Sequence, residues 1–161
     1  MSKTKIFTIA TSLLAAWAVM SPQYAYADNK SLGLGLVVGA PSGLSGKMWL
    51  DDVHAIDFAL GSFGYYVGTP YSGINLHVDY LWHRFGVFGT KGSDVNRRLP
   101  MYVGVGGMFS SPGAAGVRGV LGVTYLFQQP FDVFFELAPT LVVAPGMGFG
   151  TDAGLGGRFY F

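Results

Sequence analysis

The chain contains no cysteine, which excludes a disulfide framework, thiolate metal ligands and thiol catalysis. Charge is also scarce: Asp, Glu, Lys and Arg make up 12% of the 161 residues, against about 25% in an average soluble domain. The ten basic residues form no basic face, so nucleic acid is not an expected partner. Only three histidines are present, His54, His77 and His83, and their spacing to the acids does not mark a metal site. No Gly-rich phosphate loop occurs; Gly104 to Gly107, like Gly33 and Gly35, alternate within strand patterns. No cofactor is expected. After the first twenty residues there is no long apolar run either, because glycines and polar residues interrupt every candidate.

What the chain has instead is 50% hydrophobic residues, 25 glycines, 13 Phe and 9 Tyr. The first 27 residues stand apart. Lys3 and Lys5 precede an uncharged run from Ile6 to Met20, and Ala25-Tyr26-Ala27 follows. A basic start, a short apolar stretch and small residues at Ala25 and Ala27 describe a signal peptide cleaved after Ala27. The apolar run is shorter than the roughly 20 residues a spanning helix needs. Residues 28–161 then form the expected single domain, with 8 basic and 9 acidic residues once Lys3 and Lys5 are removed.

High apolarity without long apolar runs is the pattern of strands that alternate between lipid and lumen. Period two recurs along the chain. Leu32, Leu34 and Leu36 alternate with glycines, and Leu44 to Leu50 follow a turn at Ala40 to Gly43. Asp51-Asp52-Val53 turns into Ile56, Phe58 and Leu60. Ile74, Leu76, Val78, Tyr80 and Trp82 share one face of a fourth strand; Met101, Val103 and Val105 share one of a fifth. The last three strands carry Val117 to Tyr125, Val133 to Leu141 and Ala153 to Phe161. Residues 63–72, 110–113 and 145–150 are expected loops, 84–98 a longer connection, and Pro139 a bulge. No helix is expected. Eight segments of about 8 to 11 residues predict an all-β fold, a closed antiparallel up-and-down transmembrane β-barrel of about eight strands.

Two features favour an outward apolar face over a lipocalin-like inward one. Tyr80 and Trp82, Tyr125 and Phe127, and Phe159 and Phe161 end three strands that run the same way, as a periplasmic aromatic girdle does. The last strand ends in alternating apolar residues, Leu155, Phe159 and Phe161. That ending resembles the C-terminal signal read by the outer-membrane assembly machinery. The resemblance widens over GLVVGAPSGLSGKMWL (35–50), Ala55-Ile56-Asp57, LHVDYLWH (76–83), VRGVLGVTYLF (117–127), DVFFELAP (132–139) and Ala153 to Phe161. Together these stretches resemble a family of small bacterial outer-membrane β-barrel proteins similar to the OmpA transmembrane domain. The resemblance implies a cell outer-membrane location, contact with membrane lipid and with the assembly machinery, and no catalytic residues. The 84–98 connection is longer than that family's periplasmic turns.

Inward positions hold Lys47, Arg118 and Arg158, four acids (Asp57, Asp79, Glu136, Asp152) and His77. Buried charges must pair. A turn centred on Asp52 places Lys47 opposite Asp57, and a loop centred on Met147 places Glu136 opposite Arg158. The expected lumen is therefore a salt-bridge plug, and the expected role structural or surface-interacting. The alternatives are a narrow gated pore and a lipid-modifying enzyme. The enzyme reading is the weaker, because no histidine sits beside a serine on the outer rim, although His77 and Asp79 share a face. Phe63, Tyr65, Tyr66, Tyr71 and Phe149 are candidates for a surface patch whose partner the sequence does not name.

Overall fold

The computed structural model describes residues 31–66, 69–89, 93–111, 113–127 and 130–161, with the side chains of 63–66 and 69–72 outside the description. The expected signal peptide, including Ala25 and Ala27, lies outside the described residues, as do the side chains of Phe63, Tyr65, Tyr66 and Tyr71. Eight strands follow in chain order: β1 (Leu32–Gly39), β2 (Ser42–Trp49), β3 (His54–Tyr66), β4 (Thr69–Arg84), β5 (Met101–Ser110), β6 (Ala114–Leu126), β7 (Phe131–Ala144) and β8 (Gly148–Tyr160). Each pairs antiparallel with its neighbours in sequence, and β1 pairs with β8, so the sheet closes with up-and-down order.

Registry shows how strongly the strands are tilted. One row of partners runs Gly33, Lys47, Asp57, Asp79, Gly106, Arg118, Thr140 and Gly150. On closing, however, Gly33 pairs with Tyr160, ten residues beyond Gly150. A stagger of ten over eight strands sets the strand tilt and leaves an interior that side chains can fill. The row also carries four of the expected lumen charges, so tilt and lumen chemistry share one line.

Burial alternates with the predicted parity, and its sense is inverted relative to a soluble protein. Along β7, Asp132, Phe134, Glu136, Ala138, Thr140 and Val142 are buried, while Phe131, Val133, Phe135, Leu137, Leu141 and Val143 are exposed. The same holds on β4, where Asn75, His77, Asp79, Leu81 and His83 point in and Ile74, Leu76, Val78 and Trp82 point out. The aromatics assigned to a girdle do cluster at the end that carries the start of β1 and the end of β8. Ring pairs Tyr80–Trp82, Tyr125–Phe127 and Phe159–Phe161 lie 4.7, 4.7 and 5.1 Å apart, each edge to face.

Four expectations need correction. Residues 63–72 are not a loop: β3 runs to Tyr66 and β4 starts at Thr69, with a register shift between Ser62 and Gly64. The tyrosines and Phe63 favour extended backbone, and that preference outweighs Gly64 and Pro70 so near a hairpin tip. Residues 148–150 likewise belong to β8. Pro139 is not a bulge. The register passes unbroken across it, and the shift sits at Ala115/Gly116; the proline faces outward, where the missing N–H costs only the local pairs to Gly119 and Val120. Finally, the 84–98 connection contains a five-residue helix, α1 (Asp94–Arg98). Ser93 caps it by accepting from the Asn96 N–H, Asp94 lies in its first turn, and Arg97 and Arg98 lie in its last. One turn is too short to show an apolar period.

The Asp51–Val53 turn is as expected. Asp51 Oδ1 accepts from the Val53 and His54 backbone N–H groups, both at 2.8 Å, and Oδ2 meets His54 Nδ1 at 2.6 Å. Slight burial opposes ionisation there, but the Val53 N–H and then the His54 ring and N–H hold the Asp51 carboxyl below its ordinary range.

Candidate functional site in the lumen

The interior is layered. At the end that carries the start of β1 and the end of β8, Trp49, Ala55, Phe85, Leu126 and Tyr160 pack together with Val53 against them and close that mouth. Phe85, the first residue after β4, folds into the opening, so the long connection supplies part of the stopper. The polar belt lies beyond it. All eight expected lumen residues are buried there: Lys47, Asp57, His77, Asp79, Arg118, Glu136, Asp152 and Arg158.

Arg118 is the centre of one half. It is 1% exposed, and its guanidinium reaches Asp79 (Nε, 3.2 Å), Glu136 (Nη2, 2.7 Å) and Asp152 (Nη1, 3.9 Å). To reach Asp79 it crosses Gly106 on β5, the residue between them in the row. A Cβ at Gly106 would run into the Asp79 carboxylate and the Val78 carbonyl. Gly106→Ala is therefore expected to cost about 1–3 kcal/mol through overpacking, read as a lower urea midpoint. Gly119→Ala, whose Cβ meets only Pro139 at 3.9 Å, is the control and is expected to stay within about 0.5 kcal/mol.

Arg158 is the centre of the other half. It pairs with Asp57 at 2.5 Å and Asp132 at 3.8 Å, donates from Nε to Ser45 Oγ at 2.9 Å, and lies over the Phe134 ring at 3.8 Å. The predicted Glu136–Arg158 pairing is thus wrong. Val142 pairs with Gly148, so the β7–β8 hairpin centres on Pro145 instead of Met147; Glu136 faces Gly154 and Arg158 faces Asp132. The error came from taking residues 145–150 as loop. Glu136 instead takes Arg118 and the Tyr102 hydroxyl, which donates at 3.1 Å.

The Lys47–Asp57 register is as predicted, yet the ammonium turns elsewhere. Lys47 Nζ donates to His83 Nε2 at 2.9 Å and sits about 5 Å from the Trp49 and Tyr102 ring centroids. His83 Nδ1 faces the Val53 carbonyl at 3.2 Å, which suits the Nδ1–H tautomer. His54 stays at the turn with Asp51, and His77 lies in the lumen 3.8 Å from Asp79.

Sequence reasoning missed two lumen members. Asp132 is 1% exposed and accepts from the Tyr160 hydroxyl at 2.7 Å. His83 is equally buried. Parity alone exposes both: Asp132 is four residues before Glu136, and His83 is four after Asp79. Among these groups is a cavity of about 10 Å³ lined by residues that include Asp57, His77, Arg118, Glu136 and Asp152. That holds about one water.

Comparison with protein-family models, curated proteins and solved structures gave no match. Function must therefore be argued from this arrangement of buried charge inside and apolar side chains outside.

Proposed function

We propose that this chain is an outer-membrane β-barrel with a structural or surface-interaction role and a lumen plugged by its own charged side chains. One observation carries the reading. Among the described residues, thirty large hydrophobic side chains are exposed, while Lys47, Arg118, Arg158 and five carboxylates are enclosed. In water that distribution is unfavourable on both counts, since exposed apolar patches of more than a few hundred Å² are rare in monomers and enclosed charge is costly. In a bilayer lipid covers the apolar outside, the charges pair with one another away from it, and a closed barrel leaves no unpaired strand edge. The aromatic ring formed by Tyr80, Trp82, Tyr125, Phe127, Phe159 and Phe161 belongs at a membrane interface, and the resemblance to small OmpA-like barrels supports the same location.

Outward-facing Leu155 and Phe159 on β8, with Phe161 just beyond it, are the side chains offered to the assembly machinery; they are 52%, 36% and 63% exposed. Phe149, exposed near the opposite end, remains available to a surface partner.

The purified protein is expected to stay folded in detergent and to migrate differently on a gel before and after boiling. Identical migration, with solubility in the absence of detergent, would favour an aqueous barrel. In planar bilayers the wild type is expected to show no porin-like conductance steps, because buried charged side chains fill the belt and Trp49, Phe85, Leu126 and Tyr160 pack across one mouth. Discrete, reproducible steps would replace the plug with the narrow pore.

A further inference from the structure

We propose that Asp57, His77 and Asp79 form a site for one divalent transition-metal cation inside the barrel. Asp57 on β3 lies directly opposite Asp79 on β4, and His77 is two residues from Asp79 on the same inward face. Like charges placed directly across a ladder repel, so the pairing calls for a cation between them. His77 Nε2 stands 4.0 Å from Asp57 Oδ2 and 3.8 Å from Asp79 Oδ2, and one ligand atom from each residue falls within 4.8 Å of the others. Ligands bound at about 2.0–2.2 Å around a tetrahedral zinc ion stand about 3.3–3.6 Å apart. The His77 contacts close by about half an ångström, and the carboxylates move towards each other by up to about 1.4 Å, through side-chain rotation.

Three further observations point to a cation. First, the site is closed. The three side chains are at most 4% exposed; His77 Nδ1 and Asp79 Oδ1 lack a hydrogen-bond partner, and Asp79 Oδ2 meets Arg118 Nε at 3.2 Å as an ion pair. Second, the belt is short of positive charge. Among the described residues, Asp57, Asp79, Asp132, Glu136 and Asp152 are enclosed with Arg118, Arg158 and Lys47, five carboxyl groups to three cationic side chains. Lys47 offers little relief, since no described carboxylate lies within 4.0 Å of its ammonium, which is held by His83. Third, a cavity lined by Asp57 and His77 has room for about one water, space enough for a fourth ligand.

Arg158 engages Asp57 through Oδ1, so Oδ2 faces His77; Arg118 Nε meets Asp79 Oδ2, so the ion shares the Asp79 carboxylate with that guanidinium. One imidazole with two carboxylates selects zinc and its neighbours; calcium and magnesium prefer all-oxygen sites. No run of local spacing could reveal this set, because Asp57 joins it only through the β3–β4 register.

The inference rests on the charge-filled lumen of the proposed function and not on the membrane. The test uses the untagged full-length protein, washed with chelator in detergent and loaded with Zn²⁺ alone, with bound metal measured after gel filtration. One zinc per chain is expected, and Ca²⁺ in excess is not expected to displace it. His77→Gln and Asp79→Asn should each weaken binding at least tenfold, whereas Asp132→Asn, buried but outside the cluster, should not. No retained zinc, or equal retention in all variants, overturns the proposal. The heat-dependent gel shift on the same samples reports the barrel separately, so a failed site and a failed barrel are distinguishable. If the variants do not fold, X-ray absorption of the wild-type zinc complex decides: one imidazole with oxygen ligands supports the site, and oxygen alone overturns it.

Discussion

Replacing Arg118 by methionine is expected to lower the unfolding free energy by about 3–5 kcal/mol, the cost of leaving buried charge uncompensated. The side chain is enclosed and touches three carboxylates, Asp79, Glu136 and Asp152. Methionine fills a similar volume, so the loss is electrostatic and not a cavity. Glu136 keeps a hydrogen-bond donor, the Tyr102 hydroxyl. Arg118→Lys should recover part of the loss, since it restores the charge without the planar fork that spans several partners. Urea unfolding of Arg118→Met, Glu136→Gln and the double variant closes a cycle, with a favourable coupling expected from the 2.7 Å contact. A loss of about 0–1 kcal/mol, as for a solvent-exposed pair, would mean that water fills the lumen. The plug would then be wrong as well.

The barrel was legible because its signal is repeated. Each strand sets a small or polar residue against an apolar one, and eight such strands leave no alternative period. Lumen membership was legible for the same reason: parity places Lys47, Asp57, His77, Asp79, Arg118, Glu136, Asp152 and Arg158 on the inner face, and all eight are buried. Partner choice was not. Asp57 lies beside Lys47 in the ladder yet is paired with Arg158, which arrives from β8 across the closed interior. Such contacts depend on the ten-residue stagger and on side-chain length, and neither is encoded between neighbouring strands. Turn centres were the other weak point. A two-residue error in the β7–β8 turn leaves parity intact and still gives Arg158 the wrong partner, Glu136 for Asp132. The helix α1 escaped because capping at Ser93, not an apolar face, defines it.

The outward face gives the sharpest test of the surroundings. Leu137 lies near the middle of β7, exposed, with Leu121 beside it on β6 and Ala153 on β8. If lipid covers this face, Leu137→Arg places a guanidinium near the bilayer midplane and should cost about 2–4 kcal/mol. If water covers it, an exposed surface substitution should stay within about 0.5 kcal/mol. Met147, in the β7–β8 turn and 82% exposed, provides the depth control: Met147→Arg should cost about 0–1 kcal/mol, as near an interface. The measurement is reversible denaturant unfolding from lipid vesicles, with both variants compared to wild type under identical lipid. A large loss at Leu137 with little at Met147 is the depth profile that a membrane-spanning barrel requires. Equal, small effects at the two positions would overturn the lipid-facing assignment, and the thirty exposed hydrophobic side chains would then need a protein partner to cover them.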